Sequence, residues 1–268
     1  MAAPTLGDYE YQYKDAGVGV LLNQATPTMP FWDVTKITGL TDFPELDWDT
    51  LDLDGQHGSF VTGNFFKHRM CIFDGILYSA TVDVDVNNEL LKATIIPDGT
   101  DYPLYFKHPN KTQRYFMGKP VAYHADVEAG RRTGKMPFQL QIGCTDPRSY
   151  IDISSVGWTS GNNYTFTNAG NTASNQIISI TATSTTTATI TVSNQTQARS
   201  YVFSTAITSG QVITIDTEKL IVRVNGALRN VSMTLTGGFW PTVTTGLNTW
   251  RVTSNVGNGS SIPRSAFL

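Results

Sequence analysis

The clearest pattern along the chain is the alternation of apolar and polar positions. Between Pro137 and Cys144, Phe138, Leu140, Ile142 and Cys144 fall on one face and Gln139, Gln141 and Gly143 on the other, the two-residue period of a half-buried strand. Leu104–Phe106, Tyr115–Met117 and Val121–Tyr123 are shorter β-branched or aromatic runs that read as strands too. The same residue types fill 64–86, where Asp74-Gly75 separates two apolar triplets. Asp-Gly in that setting predicts a hairpin, with a bulge in one long strand as the competing reading. One segment departs from β character. Asn87–Ala93 predicts a short helix, with Asp85 or Asn87 as its cap, Leu90, Leu91 and Ile95 on a common face and Pro97-Asp98-Gly99 as its stop.

Beyond residue 150 the pattern is almost wholly β. Ser and Thr supply 20 of the 47 residues from 154 to 200, yet Ile177, Ile178, Ile180, Ile190 and Val192 recur among them, which marks strands rather than a linker. Val212–Ile215, Leu220–Val224 and Val231–Leu235 follow, spaced by Asp216-Thr217 and Asn225-Gly226 and ending before Gly237-Gly238. Short strands at that spacing predict an antiparallel sandwich. The expected fold class is therefore mainly β: an N-terminal β-sandwich or barrel with one short helix over 1–150, and a C-terminal antiparallel β-sandwich over 151–268.

Charge supports that boundary. Residues 1–150 carry 13 Lys and Arg against 19 Asp and Glu, net −6, and residues 151–268 carry 6 against 3, net +3. The overall −3 excludes nucleic-acid or anionic-lipid binding through bulk charge. With 40% hydrophobic and only 15% charged residues among 268, the chain is neither disordered nor a coiled coil. No apolar run approaches the ~20 residues of a spanning helix, so no membrane insertion is expected. Met1–Asp8 lacks a basic segment followed by an apolar one and does not read as a secretory signal. Cys71 and Cys144 make no disulfide framework and are expected as small buried hydrophobes.

Candidate chemistry is sparse. Thr50–Gly55 and Asp83–Asn88 imitate calcium loops but lack the twelfth-position carboxylate. The four histidines have no zinc-site spacing; His124 and Asp126 alternate and could share a strand face, as a surface pair or a dyad. Nucleophile elbow, Walker loop and dinucleotide fingerprint are all missing. No catalytic residue, metal ligand or cofactor is predicted. What remains are surfaces. The base-free acidic run from Asp42 to Asp54, with Asp47, Asp49 and Asp52, and the basic loop Ala129–Lys135, with Arg131, Arg132 and Lys135, are complementary interface candidates, the loop otherwise reading as an exposed hairpin tip. Trp158 and Trp240 are candidate surface aromatics, against a competing reading in which they and Tyr164 and Trp250 pack a core.

Two stretches make the chain recognisable. Gly210–Thr217, Val222–Gly226 and Phe239–Asn248 resemble the C-terminal domain of siphophage distal tail proteins, with a strand ending Ile215-Asp216, a strand leading to a Gly turn, and aromatic-Pro followed by Gly246 and Asn248. Thr244-Thr245 departs from the Pro often found before that Gly. In the first half, Asp54–Val61, Pro103–Pro109 and Phe138–Tyr150, closing on Asp146-Pro147-Arg148-Ser149-Tyr150, look like the first minor tail protein of actinobacteriophages. The resemblance implies a non-enzymatic virion protein of a long non-contractile tail, made in the host cytoplasm. It implies a homohexameric hub ring of N-terminal belt domains, with galectin-like C-terminal sandwiches projecting outward. The ring would join the tail tube protein to tail-associated baseplate proteins, with the tape measure and receptor-binding proteins as further partners. The alternative is a carbohydrate-binding accessory module attaching to host cell-wall carbohydrate; a glycoside hydrolase, which needs paired carboxylates, ranks third.

Overall fold

In the computed structural model the described residues are 3–14, 19–24, 29–52, 59–96, 98–229, 231–237 and 240–268, with side chains described except at 47–52, 59–65, 232 and 233. The chain divides into two compact units, 1–149 with 268, and 150–267. The first contains β1 (Tyr11–Tyr13), β2 (Val20–Leu22), β3 (Phe31–Thr38), β4 (Leu46–Asp52), β5 (Ser59–Phe66), β6 (Arg69–Tyr78), α1 (Val84–Ile95), β7 (Tyr102–Phe106), β8 (Arg114–Ala125), α2 (Val127–Thr133) and β9 (Lys135–Cys144).

Seven of these strands close a barrel in the order β8-β7-β1-β2-β3-β6-β9, with β9 returning to β8. Closure leaves no open edge among the seven. Strict alternation drives it: β6 and β9 bury every second residue, so Cys71, Phe73 and Leu77 join Leu140, Ile142 and Cys144 inside, with Tyr13, Leu104 and Phe116 from other strands. The alternation of β9 is as the sequence reads it. Asp74-Gly75, in contrast, makes no hairpin but sits mid-strand in β6, and the extra residue falls on β3, where pairing shifts between Val34 and Lys36. Close packing explains the glycine: a Cβ at Gly75 would lie 2.3 Å from the Asp33 carbonyl oxygen and 2.7 Å from the Phe138 ring.

Helix α1 begins at Val84, after a 3-10 turn over Thr81–Asp83, and not at Asn87. Neither Asp85 nor Asn87 caps it; Asp83 holds the N-cap position without a side-chain bond. Its buried face is Val84, Asn88, Leu91 and Ile95, spaced four, three and four, while Leu90 is 66% exposed. One residue rotates a helical position by about 100°, so Leu90 cannot share that face. The single polar member, Asn88, accepts a 2.8 Å hydrogen bond from Tyr123 Oη. Leu91→Ala is expected to cost about 3 kcal/mol by cavity formation, and Leu90→Ala under about 0.5 kcal/mol, measured by denaturant unfolding.

The predicted basic loop is helical instead. Asp126 accepts from Ala129 N at 3.0 Å as the N-cap of α2, and Gly134, at φ 70°, ends it. Asp126 therefore leaves the strand and shares no strand face with His124.

The second unit comprises β10 (Ser149–Asp152), β11 (Val156–Trp158), β12 (Asn163–Asn168), β13 (Gln176–Thr181), β14 (Thr186–Asn194), β15 (Arg199–Ile207), β16 (Val212–Asp216), β17 (Ile221–Val224), β18 (Ala227–Arg229), β19 (Ser232–Thr236), β20 (Gly246–Ser254) and β21 (Gly259–Phe267). One sheet runs β18-β17-β16-β13-β21-β10, with β11 also on β21; the other runs β12-β20-β14-β15-β19. Their inner faces form one core, Ile178, Ile180, Ile213, Ile215 and Val222 from the first against Phe166, Ile190, Val192, Phe203 and Trp250 from the second. This is the antiparallel sandwich that strand spacing predicts, so the fold is mainly β, a barrel followed by a sandwich.

Candidate assembly surface

Strands β4 and β5 form a sheet of two, paired from Leu46↔Phe66 to Asp52↔Ser59 with a register shift between Asp49 and Thr50. Three of the six acidic residues of the run thus lie on one arm of this hairpin. Asp47, Asp49 and Asp52 are placed on β4 by their backbone; their side chains, and Leu53–Gly58 altogether, lie outside the described residues.

The base of this hairpin is held by Arg69, a residue the sequence reading passed over. Its side chain is buried, with Nη1 donating to the carbonyls of Gly39 at 2.7 Å, Leu40 at 3.4 Å and Asp42 at 2.6 Å, and Nε donating to Pro147 O at 3.1 Å. The guanidinium lies 4.8 Å from the Phe116 ring centroid. Desolvation lowers its pKa, and the Asp42 carboxylate opposes that shift. A signal was available: Arg69 occupies an inward position of the alternation Arg69, Cys71, Phe73, Gly75, Leu77, where a cation must find acceptors.

The basic candidates are engaged within their own unit. Arg131 pairs with Asp85 at 2.9 Å and Glu128 at 2.7 Å, and these carboxylates, Asp85 foremost, raise its pKa. Arg132 Nε donates to Glu128 O at 3.2 Å, and Lys135 Nζ sits 5.6 Å from the Tyr78 ring centroid. Both cysteines are free and buried, and the Cys144 thiol is pushed far above its ordinary range by a hydrogen bond with Cys71 and by burial, so it stays protonated. Among the described residues no three His, Cys, Asp or Glu side chains converge to hold a metal.

Of the two surface aromatics, Trp158 is a correction. It is 5% exposed and belongs to the sandwich core. The cause is its partner across the strands, Gly259, where a Cβ would lie 2.6 Å from the Trp158 ring. Trp240 is half-buried, its ring 5.0 Å from that of Tyr201. Trp158→Ala is expected to lower unfolding free energy by about 3 kcal/mol, seen as an earlier denaturant midpoint.

The turn residues behind the sequence resemblance have defined roles. Gly246 takes φ 82°, and Asn248, fully buried, accepts from Thr244 N at 2.9 Å and donates to Thr244 O at 2.7 Å and Gly246 O at 2.9 Å. Thr244, standing beside the position where Pro is often found, gains a further bond from its Oγ1 to Asn248 Oδ1 at 3.0 Å. At Asp146-Pro147-Arg148 the Arg148 guanidinium closes on the Asp146 carboxylate at 2.6 Å.

The described residues form a closed barrel followed by an antiparallel sandwich, a broad class of architecture that serves many unrelated functions. Comparison with known proteins narrows that class. Residues 169–262 match the family model described as siphovirus-type tail component, C-terminal domain. The solved structure of SPP1 Dit (gp 19.1), described as a paradigm of the hub adsorption apparatus in Gram-positive-infecting phages, shares the fold over 98% of this chain and 100% of its own, with TM-score 0.64 and 14% identity. A chain of the phage p2 baseplate in its activated conformation is similar in two structures. With Sr, 96% of this chain and 98% of that chain superpose, and with Ca 97% and 98%, each with TM-score 0.63 and 8% identity. No curated protein matches the chain in sequence. The chain resembles siphophage distal tail proteins, in sequence over part of its second half and in fold over nearly its whole length.

Proposed function

We propose that this chain is a structural, non-enzymatic component of a phage tail tip, a distal hub that joins the tail tube to tail-associated and receptor-binding proteins. The observation that carries the reading is the coincidence of a siphovirus tail-component match over 169–262 with a hub-protein fold over nearly the whole length. On this reading the barrel unit forms the belt of a homohexameric ring and the sandwich faces outward. Physical features support self-assembly. An isolated two-stranded hairpin is marginal in water, so β4–β5 gains by contact with other chains. A ring also closes only through heterologous contacts, one surface meeting a different one, which units of opposite net charge can supply. The carbohydrate-binding alternative loses one of its two aromatics, since Trp158 is buried.

Light scattering on a sizing column, followed by negative-stain imaging, tests the ring. A six-fold annulus is expected. A monomer at all protein concentrations and salt levels would contradict self-assembly.

A further inference from the structure

Helix α1 covers one end of the barrel with its buried face, where Val84, Leu91 and Ile95 share a core with Trp32, Leu77 and Met136. The opposite face of a surface helix is ordinarily polar. Here it is apolar. Val82, in the turn before the helix, Val86 and Leu90 follow at four-residue steps, with exposed Ala93 beside them. Next to the helix an apolar groove of about 360 Å³ is lined by Ile95, Ile96, Val121 and Tyr123. Val82, Val86, Leu90, Ile96 and Val121 are between 58% and 82% exposed, and they are five of the eight exposed large apolar residues in the described part of the barrel unit. Together they offer about 500 Å², near the top of the ~300–600 Å² of the largest patch on an ordinary monomer and over half the ~800 Å² each partner gives to a stable interface.

We propose that the outward face of α1 receives the root of the β4–β5 hairpin of a second copy of the chain, with Phe43 of that copy seated in the groove between Ile96 and Val121. Phe43 is 65% exposed, and its ring stands edge-on to that of Phe66 at 5.2 Å, so the two form an aromatic knob where β5 ends. An aromatic side chain entering an apolar pocket is a common anchor of protein interfaces. The knob and the helix lie at opposite ends of one strand. Where β6 begins, Arg69 holds the carbonyls of Gly39 and Asp42 beside Phe43; where it ends, Ser79 Oγ accepts from Asn87 Nδ2 of α1 at 2.7 Å. Unlike surfaces at opposite ends make the contact heterologous, so copies add head to tail, the arrangement that closes a ring. The seven barrel strands leave no free edge, and barrel units therefore meet through side chains rather than by adding strands to one another. The inference rests on the hub reading and deepens it by naming the contact between barrel units.

The test compares the full-length chain with its V86D/L90D and F43D variants by sedimentation. Each variant should weaken association about tenfold or more, and wild-type association should be as strong at about 500 mM salt as at about 50 mM, because the contact is apolar rather than ionic. Leu90→Ala, whose effect on folding is small, should weaken association as well, and it decides the matter if a charged variant fails to fold. In a second experiment I96C chains are mixed with F43C chains and treated with a short bis-maleimide; Cys71 and Cys144 are buried and keep the background low. Coupling between the two variants, with neither coupling to itself, is expected. Wild-type association that none of the substitutions alters, without coupling of I96C to F43C, overturns this contact and leaves the ring standing. Coupling of I96C chains to one another overturns it too, since like faces would then meet. Absence of any wild-type association overturns the ring reading together with it.

Discussion

Arg69→Met is expected to destabilise the barrel unit by about 4 kcal/mol and to loosen the β4–β5 hairpin at its root. The replacement keeps an apolar stem against Phe116, so the loss comes from hydrogen bonding rather than from a cavity. Four backbone carbonyls, on Gly39, Leu40, Asp42 and Pro147, lose their donor at once. Each buried acceptor left without a partner costs about 1–3 kcal/mol, and partial access of water to the exposed end of the site keeps the total below the full sum. Three of the carbonyls belong to the turn that carries the chain from β3 into β4. Hydrogen exchange should therefore rise first across 39–52 and only later in β6 and β9. Uniform protection across the barrel in the variant would show that Arg69 does not anchor the hairpin.

Gly75→Ala should cost nearly as much, about 3 kcal/mol, although it adds a single carbon. Overpacking costs about 1–3 kcal/mol where neighbours can yield. Here the new Cβ meets the Asp33 carbonyl oxygen at 2.3 Å, part of the paired backbone of β3, and the Phe138 ring, which is itself edge-on to Trp32 at 5.2 Å. Neither is the free end of a flexible side chain. Relief requires either opening the β3–β6 pairing or expelling Phe138, and both open the barrel. Chemical denaturation should report the loss, and a Phe138→Leu background should recover part of it by making room. If Gly75→Ala unfolds at the wild-type midpoint, the tight approach of the two strands is wrong.

These two sites also mark where sequence and structure part. Alternation was sufficient for β9 and for the sandwich strands, because each buries one face and a two-residue period has only two phases. It failed at Asp74-Gly75, where the reason for glycine is a ring contributed by a strand more than sixty residues away and not a turn. Helix α1 starts three residues before its expected start, and Leu90, about 100° from Leu91, falls off the face that Val84, Asn88, Leu91 and Ile95 bury. Helix α2 had its own signals, Asp126 three residues before Ala129 and Gly134 after Thr133, which the density of positive charge obscured. Trp158 could not be placed from local sequence, since its burial depends on Gly259 a hundred residues on.

The candidate surface was legible to a different degree. The acidic run stood out as a composition feature, and three of its six carboxylates, Asp47, Asp49 and Asp52, lie on one strand of a separate hairpin. Arg131, Arg132 and Lys135 were legible as charge but not as engaged charge, because Asp85 comes from a helix 46 residues earlier. The family resemblance was readable because its turn residues act locally: Asn248 and Gly246 close their own loop within four residues.

The most direct test of the hub account is the position of this chain in an assembled virion, read by gold-labelled antibody against the sandwich unit in electron micrographs of intact particles. Label confined to the distal end of a long, non-contractile tail is the expected result. Label along the tail shaft, on the capsid, or only on material released from particles would contradict it.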